Sequence, residues 1–200
     1  MIYITKLILI SSVVIFATSC SNIPVKQMFP MIKASLFGIP QIEISENFID
    51  SQPYSFIKVR IGKSSQAILV LSTIKDDIYV WVSSTGEKIY TFNGKIIKTH
   101  GLNYNLEEFS PKFFPNIRLS QTFTHNILLS NPKKFVTQNS LIESFSNQSS
   151  NNLLISETIT TDGFRWSYKN YYEYKNGVES KTRQYIHPEL PVIDIEFYYK

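Results

Sequence analysis

Two pairs of adjacent carboxylates, Asp76–Asp77 and Glu107–Glu108, are the first residues of this sequence to consider for acid–base chemistry. Hydrolysis of a glycosidic bond needs two carboxyl groups at a fixed separation, one of which is kept protonated by an apolar setting. Neighbouring acids in a polar turn do not meet this requirement, and solvated loop charges are the ordinary interpretation. A polysaccharide-modifying enzyme therefore remains an alternative, while the sequence favours a protein that is not an enzyme.

Metal binding and serine catalysis find little support in the sequence. His100, His125 and His187 lie far apart, without the i,i+4 spacing or the cysteine partners of a zinc site. No G-x-S-x-G turn is present to carry a catalytic serine. Asp194 and Glu196 alternate onto one face of the last segment, where cross-strand charge pairs are the expected role. We predict no catalytic residue, no metal and no cofactor.

The single cysteine, Cys20, follows a segment with the features of a secretion signal. Lys6 is the only charge in the first 19 residues, and the apolar run Leu7–Phe16 is long enough for a signal peptide but too short to span a bilayer. Ala17-Thr18-Ser19 then supplies the small residues that a signal peptidase needs. One cysteine cannot form an internal disulfide, and its apolar flank lacks the basic neighbour of a reactive thiol.

The order of these features resembles a bacterial lipobox, in which the cysteine receives a diacylglycerol and becomes the new N-terminus. We therefore predict a signal peptide over residues 1–19 and lipid attachment at Cys20; an ordinary secretory signal and an uncleaved anchor are the alternatives. About two or three acyl chains hold a protein lastingly on a membrane. Ser21 stands where an aspartate would argue for the inner membrane of enteric bacteria. We expect an outer-membrane lipoprotein that faces the periplasm.

Aromatic residues beside cationic ones give the sequence its candidate binding site. Aromatic faces suit sugar rings, and arginine can fork onto a carboxylate. Tryptophans and alternating aromatics in strands are more often core than platform. If they are core here, the basic face beside them would meet an acidic polymer or a protein partner. The candidates for polysaccharide or partner binding are Trp81, Arg165, Trp166, Tyr168 and Lys169.

Composition indicates one β-rich domain. The 200 residues are 43% hydrophobic and include 12 Tyr and 14 Phe but 7 Gly, which favours strands around a core of large rings. The net charge of +4 is small and its lysines and arginines are scattered, so we expect no nucleic-acid partner.

The elements that must position these residues are mostly strands. Asn-Gly pairs at Asn93–Gly94 and Asn176–Gly177 predict hairpins with type I′ turns. A helical turn capped by Ser45 is expected over Ser45–Ser51. We predict a mostly β fold, a twisted antiparallel meander closing toward a barrel or sandwich, with one or two short N-terminal helices. The tether and first helix occupy residues 20–40, and a single domain occupies 41–200. Predicted strands are Phe56–Ile61, Gln66–Ile74, Ile78–Ser83, Lys88–Phe92, Lys95–Thr99, Gln121–Leu128 and a last strand in Val192–Lys200.

Five segments of the sequence stand in a characteristic order and spacing: SLFGIP (Ser35–Pro40), PYSFIKVRIG (Pro53–Gly62), AILVLS (Ala67–Ser72), Val80–Leu102 and Phe164–Lys200. Together they resemble the YjbF/GfcB family of capsule and exopolysaccharide lipoproteins. The resemblance implies an accessory binding or scaffolding component in assembly and export of a polysaccharide, with no catalytic residues to carry over. Its partners would be the membrane, through the lipid, an acidic polysaccharide and other export proteins. The residues alone leave one alternative, a periplasmic carrier of a lipid or other hydrophobic ligand in a half-open barrel.

Overall fold

The structure, a computed structural model, describes residues 43–109, 121–146, 151–163 and 165–200, without the side chain of residue 146. All of them belong to one compact unit, Gln41–Lys200. The predicted signal peptide, Cys20 and the helix within 20–40 lie outside the described residues. Within the described ranges, no helix is long and apolar enough to cross a membrane.

Twelve strands among the described residues form one antiparallel sheet that is nearly closed, like a barrel. The predicted fold class is confirmed. The sheet order is β5-β4-β3-β2-β1-β12-β11-β10-β9-β8-β7-β6, so the first strand pairs with the last. The strands are β1 (Phe56–Ile61), β2 (Ala67–Lys75), β3 (Ile78–Val82), β4 (Lys88–Phe92), β5 (Lys95–His100), β6 (Leu106–Phe109), β7 (Gln121–Leu129), β8 (Lys134–Ser146), β9 (Asn152–Thr161), β10 (Ser167–Lys175), β11 (Val178–Gln184) and β12 (Ile193–Tyr198).

Helix α1 (Glu46–Ser51) precedes the first strand and covers part of its outer face. Ser45 caps the helix as predicted, because its hydroxyl accepts from the Phe48 backbone N–H at 3.2 Å. The Phe48 ring meets the ring of Phe56 edge-on, with centroids 5.8 Å apart, and Phe56 stacks on Tyr198 at 4.8 Å. These contacts leave Phe56 fully buried, although it points away from the barrel interior.

Alternation places the core inside the barrel. Ile193, Ile195 and Phe197 of β12 are 0%, 1% and 7% exposed, whereas Asp194 and Glu196 between them face outward. The outward carboxylates pair with cations of both neighbouring strands, which confirms the predicted cross-strand charge pairs. The last strand therefore contributes apolar side chains to the core and an ionic row to the surface.

The β4–β5 hairpin bends into the interior. Asn93 and Gly94 have φ values of 47° and 75°, as a type I′ turn requires, and the predicted turn is confirmed. The Tyr174 hydroxyl donates to the Asn93 carbonyl at 2.7 Å. A Cβ at Gly94 would lie 2.9 Å from Glu179 Cγ. The tip of the hairpin thus rests on the inner face of β10 and β11.

Strands β5 and β6 are the two edges of the sheet, and side chains satisfy their backbone groups. The Leu106 N–H donates to Thr99 Oγ1 at 3.0 Å. At the other end of β5, Gln184 Oε1 accepts from the Ile96 N–H at 2.9 Å and Gln184 Nε2 donates to the Gly94 carbonyl at 2.8 Å. Gln184 therefore bonds to the edge of β5 as a neighbouring strand would, which meets the need of buried backbone groups for partners.

The connections alternate between the two ends of the barrel. The chain enters β1 from α1 at one end, where β12 also finishes and Lys200 Nζ lies 3.8 Å from Asp50 Oδ1. The other end is formed by the connections at 62–66, 83–87, 101–105, 130–133, 162–166 and 185–192. We call it the groove end, for the groove described below.

Candidate functional site

A groove of about 760 Å³ lies at the groove end, on the first residues of β10 and the connection that follows β11. We call it the aromatic groove because rings form much of its lining. Trp166 and Tyr168 have centroids 4.4 Å apart, and Tyr168 lies 5.9 Å from Tyr185. Its lining includes Trp166, Tyr168, Lys169, Tyr171, Arg183 and Tyr185.

Two tyrosines of this groove are open to solvent. Tyr171 is 40% exposed and Tyr185 is 37% exposed, so a ligand in the groove can contact both rings. Lys169 Nζ lies 5.9 Å from the centre of the Tyr171 ring and 3.5 Å from Glu143 Oε2. The groove therefore presents apolar ring faces next to a cation, a combination that suits a polar ligand with flat apolar patches.

His187 fixes the far wall of the aromatic groove. It is 2% exposed, its Nε2 donates to the Ser130 carbonyl at 2.8 Å, and its Nδ1 accepts from the Glu189 N–H at 3.1 Å. Its ring stacks on Tyr104 with centroids 5.0 Å apart. These contacts tie the connection between β11 and β12 to the neighbouring connections of the groove end, so the wall is rigidly held.

The structure brings together most, but not all, of the predicted binding residues. Trp166, Tyr168 and Lys169 line the aromatic groove, and Arg165 is exposed next to Trp166. Trp81 does not belong to this site. It is 0% exposed in the core, its Nε1 donates to Thr91 Oγ1 at 2.9 Å, and no ligand on the surface can reach its ring. Trp81 was a candidate because it is aromatic, but the alternation of side chains along β3 points its ring into the core.

Tyr168 connects the aromatic groove with a polar cluster inside the barrel. Its hydroxyl accepts from Gln138 Nε2 at 2.9 Å, and Gln138 Oε1 lies 3.0 Å from His125 Nε2. Burial raises the pKa of Tyr168 well above its usual value, and the charge of Glu157 adds to this rise. We call this set the inner cluster: Lys95, His125, Gln138, Glu157, Tyr168, Asn170 and Tyr172.

A buried ion pair is the centre of the inner cluster. Lys95 Nζ lies 2.6 Å from Glu157 Oε1, and the side chains are 6% and 1% exposed. Tyr172 OH donates to Glu157 Oε2 at 2.8 Å, and Lys95 Nζ lies 4.4 Å from the centre of the Phe109 ring. Burial opposes the ionisation of Glu157, but Lys95 and the Tyr172 hydroxyl outweigh it and hold the pKa of Glu157 below its usual value.

His125 is the titratable neighbour of this pair. Burial and then the charge of Lys95 lower its pKa to about 4, although the charge of Glu157 acts in the opposite direction. Because Gln138 Oε1 is an acceptor, His125 Nε2 donates to it; His125 Nδ1 is buried without a hydrogen-bond partner. The ring is neutral at physiological pH and packs on Phe109 with centroids 4.6 Å apart.

The interior space beside Lys95 is small. A cavity of about 20 Å³ lies between Lys95, Gln138, Tyr168 and Asn170, which is room for about one water molecule. It does not accommodate an acyl chain. Within the described residues, no group of three His, Cys, Asp or Glu side chains is placed to hold a metal ion.

A second, smaller groove of about 360 Å³ adjoins the aromatic groove across Tyr171 and Arg183. We call it the arginine groove because Arg60 and Arg183 meet there on the outer face of β12. Both guanidiniums bond to the carboxylate of Asp194: Arg60 Nη2 lies 3.0 Å from Oδ2, and Arg183 Nε lies 2.8 Å from Oδ1. The hydrogen bond to Asp194, then its charge, raises the pKa of Arg183.

Sequence reasoning missed the inner cluster and part of the grooves. One signal was available for Glu157, because Ile155, Glu157 and Ile159 share one face of β9 and a carboxylate in a buried apolar row needs a partner. Tyr185 and Arg183 gave no such signal, since Tyr185 joins the site through the 185–192 connection and Arg183 through the pairing of β11 with β12. Asp76 and Asp77, in contrast, lie exposed in the β2–β3 turn as expected of solvated loop charges.

Residues 30–198 match the family described as group 4 capsule polysaccharide lipoprotein gfcB, YjbF. This chain belongs to the YjbF family. The YjbF match extends over α1 and all twelve strands, including both grooves and the inner cluster. The members of this family are lipoproteins, and membership is therefore consistent with a lipid-anchored location at a membrane.

Two relatives of this YjbF chain come from Escherichia coli (strain K12). The uncharacterized lipoprotein GfcB is 29% identical over 101 residues, which is 50% of this chain and 47% of GfcB. The chain thus spans about half the length of the curated relative that it matches. The crystal structure of the hypothetical lipoprotein YmcC matches with a TM-score of 0.67 and 21% identity, over 90% of this chain and 98% of that one. This likeness shows a shared fold.

Proposed function

We propose that this protein is an outer-membrane lipoprotein, anchored through Cys20 and facing the periplasm, that acts as a binding or scaffold component in assembly and export of a capsule or exopolysaccharide. Membership of a family of group 4 capsule polysaccharide lipoproteins is the observation that carries the proposal. The aromatic groove is the surface on which polymer or an export protein binds.

The geometry of the groove supports a saccharide ligand. Trp166, Tyr171 and Tyr185 offer ring faces on which the C–H groups of a sugar ring pack, and Lys169 stands beside them as a donor. The wall held by His187 keeps the groove open without a ligand, so little conformational freedom is lost on binding.

A binding role without catalysis fits the carboxylates better than an enzyme does. Glu157 is bound by Lys95 and Tyr172 in the interior, and Asp194 is bound by two arginines. Neither carboxylate is placed to act as an acid while its partner acts as a base. The water-sized interior cavity beside Lys95 likewise gives no support to a carrier of acyl chains.

The test is a chromosomal deletion in the source bacterium, complemented by the unchanged gene and by a Cys20→Ala variant. Polymer would be quantified separately on the cell surface and inside the cell. We expect the deletion to reduce surface polymer while cytoplasmic synthesis continues, and the Cys20→Ala protein to restore little. Unchanged surface polymer in the deletion strain would overturn the export role.

Mass spectrometry of the N-terminal peptide of the membrane-extracted protein tests the anchor independently. A diacylglyceryl cysteine at residue 20 is expected as the first residue, and density-gradient fractionation should place the protein with outer membranes. A free thiol on a soluble chain, or recovery with inner membranes, would contradict the proposed location.

A further inference from the structure

The outer face of β1 and β10–β12, which holds the arginine groove, carries more cations than carboxylates. The groove lining itself is balanced, with Arg60, Lys181 and Arg183 against Glu173, Asp194 and Glu196. Outside the lining, Lys58 also pairs with Glu196 at 2.9 Å and Lys175 with Glu173 at 3.7 Å. Five cations therefore meet three carboxylates on the outer face of β1 and β10–β12.

The excess charge is concentrated where the two guanidiniums converge. Asp194 Oδ2 accepts from Arg60 Nη2 at 3.0 Å and from Arg183 Nη2 at 3.4 Å, so two positive groups share one oxygen. Register explains the convergence, because Arg60, Asp194 and Arg183 lie side by side across β1, β12 and β11. Arg183 keeps further N–H donors beyond the two bonds that it gives to Asp194. Two guanidiniums that share one carboxylate are therefore suited to a second anion.

Stability alone does not account for this arrangement. The Arg183 side chain is 53% exposed and that of Lys181 is 55% exposed, and exposed ion pairs add little to folding stability. Asp194 lies between Arg60 and Arg183 and offsets one of their two positive charges. A carboxylate bound beside the two guanidiniums would offset the second.

The neighbouring rings indicate what carries the anion. Tyr171 and Arg183 line both grooves, so a ligand in the arginine groove continues onto Tyr171 and toward Trp166. An extended chain of sugar rings with carboxylates meets both surfaces, with rings on the tyrosine and carboxylates on the arginines.

We propose that the ligand class of this site is an acidic glycan, whose carboxylate binds between Arg60 and Arg183 while an adjacent sugar ring packs on Tyr171. The assignment rests on the proposed function in polysaccharide export and narrows its ligand to a carboxylate-bearing polymer. Neutral chains are thereby disfavoured, because two guanidiniums in one groove favour an anionic group.

The experiment is isothermal titration of the full-length protein, extracted in detergent, with hexagalacturonate, its methyl ester and hexaglutamate. We expect hexagalacturonate to bind at least tenfold more tightly than the ester, with a preference that declines as salt is raised. Arg183→Gln should reduce the preference severalfold, and Asp194→Asn, which frees both guanidiniums, should increase it. Lys63→Gln removes one exposed charge outside the groove and is the matched control, with no expected change.

Each other result overturns the assignment in a recognisable way. Equal affinity for hexagalacturonate and its methyl ester would mean that the groove recognises the sugar and not its carboxylate. Hexaglutamate as tight as hexagalacturonate would indicate an acidic polypeptide partner. No binding of any probe, with circular dichroism showing a folded protein, would also overturn it. The surface-polymer measurement in the deletion strain decides the proposed function separately, so the two can fail independently.

Discussion

Lys95 Nζ and Glu157 Oε1 lie 2.6 Å apart inside the barrel, on strands that are not neighbours in the sheet. The hairpin that bends inward at Gly94 brings the lysine to this position. The ion pair therefore holds the β4–β5 tip against β9 on the opposite wall, in addition to the bonds that Gln184 and Tyr174 make to the same tip.

Removing one partner of this pair should destabilise the protein more than removing both. Lys95→Met leaves the Glu157 carboxylate buried and unpaired, and we expect a loss of about 3–5 kcal/mol in the free energy of unfolding. The double variant Lys95→Met/Glu157→Gln keeps an acceptor for Tyr172 without a buried charge and should recover a large part of that loss. Urea denaturation of the two variants and the unchanged protein measures both values. A double variant less stable than Lys95→Met would contradict the account.

Stability should decline on mild acidification because of His125. Its pKa is about 4 in the folded protein and 6.5 in the unfolded chain, so between these values the unfolded chain binds more protons and stability rises with pH. The loss on going from pH 7 to pH 4 is about 3 kcal/mol at most from this group. Lowering the pH further removes the contribution of Glu157, whose folded pKa is depressed. Denaturation midpoints across pH 4–7 should show the slope.

The variant His125→Gln should flatten that slope, since it has no ring to protonate. His100→Gln, at an exposed histidine on β5, serves as the control and should retain the slope of the unchanged protein. If the slope persists in His125→Gln and disappears in His100→Gln, the prediction is wrong, because the pH dependence then comes from His100.

Two glycines in Asn-Gly turns should respond differently to alanine. Gly177 has φ of 82° and no atom within 4 Å of an added Cβ, so Gly177→Ala carries only the cost of left-handed backbone, about 1–2 kcal/mol. Gly94 has φ of 75° and would place a Cβ 2.9 Å from Glu179 Cγ, which displaces a side chain held by Tyr199. Gly94→Ala should cost about 1–3 kcal/mol more. Equal thermal midpoints for the two variants would show that the hairpin tip is not packed inside.

The two tryptophans should differ in their effect on binding. Trp166→Ala removes a ring from the aromatic groove, and we expect polymer binding to weaken about tenfold, near 1.4 kcal/mol. Because this half-buried ring also packs against the core, the variant should lose stability as well. Trp81→Phe removes the bond to Thr91 and leaves a small cavity, so it should lower stability by about 1–3 kcal/mol without changing binding. Titration with polymer and urea denaturation of both variants check the pattern. Weaker binding by Trp81→Phe at full stability would contradict the burial of that ring.

Local signals in the sequence were sufficient for many of the strands but not for their arrangement. Phe56–Ile61 and Lys88–Phe92 were predicted with the bounds that the structure gives, because β-branched and aromatic residues end there at turn clusters. Strands β6 (Leu106–Phe109), β8 (Lys134–Ser146) and β9 (Asn152–Thr161) were not predicted. In β6, four residues with two adjacent glutamates show no alternation. The pairing of β1 with β12 could not be predicted from local sequence, because the paired residues lie far apart in the chain.

The candidate site was likewise predictable only where its residues are close together in the sequence. Trp166, Tyr168 and Lys169 lie within four residues of one another, and their proximity was visible in the sequence. Arg60 and Arg183 become neighbours only through the register of β12. Lys95 looked like an ordinary residue after a turn, because nothing local shows that the hairpin bends inward to a carboxylate on β9.

The position of β12 between β1 and β11 affects how the chain folds. Strand β12 lies at the centre of the sheet order, where Phe56 pairs with Tyr198 and Gln184 pairs with Ile193. The ladders β5 to β1 and β11 to β6 are joined only through β12 on this side of the sheet. Pairings between distant residues are slow to form. The step that joins the two ladders is therefore the pairing of β12 with β1, between residues at opposite ends of the domain.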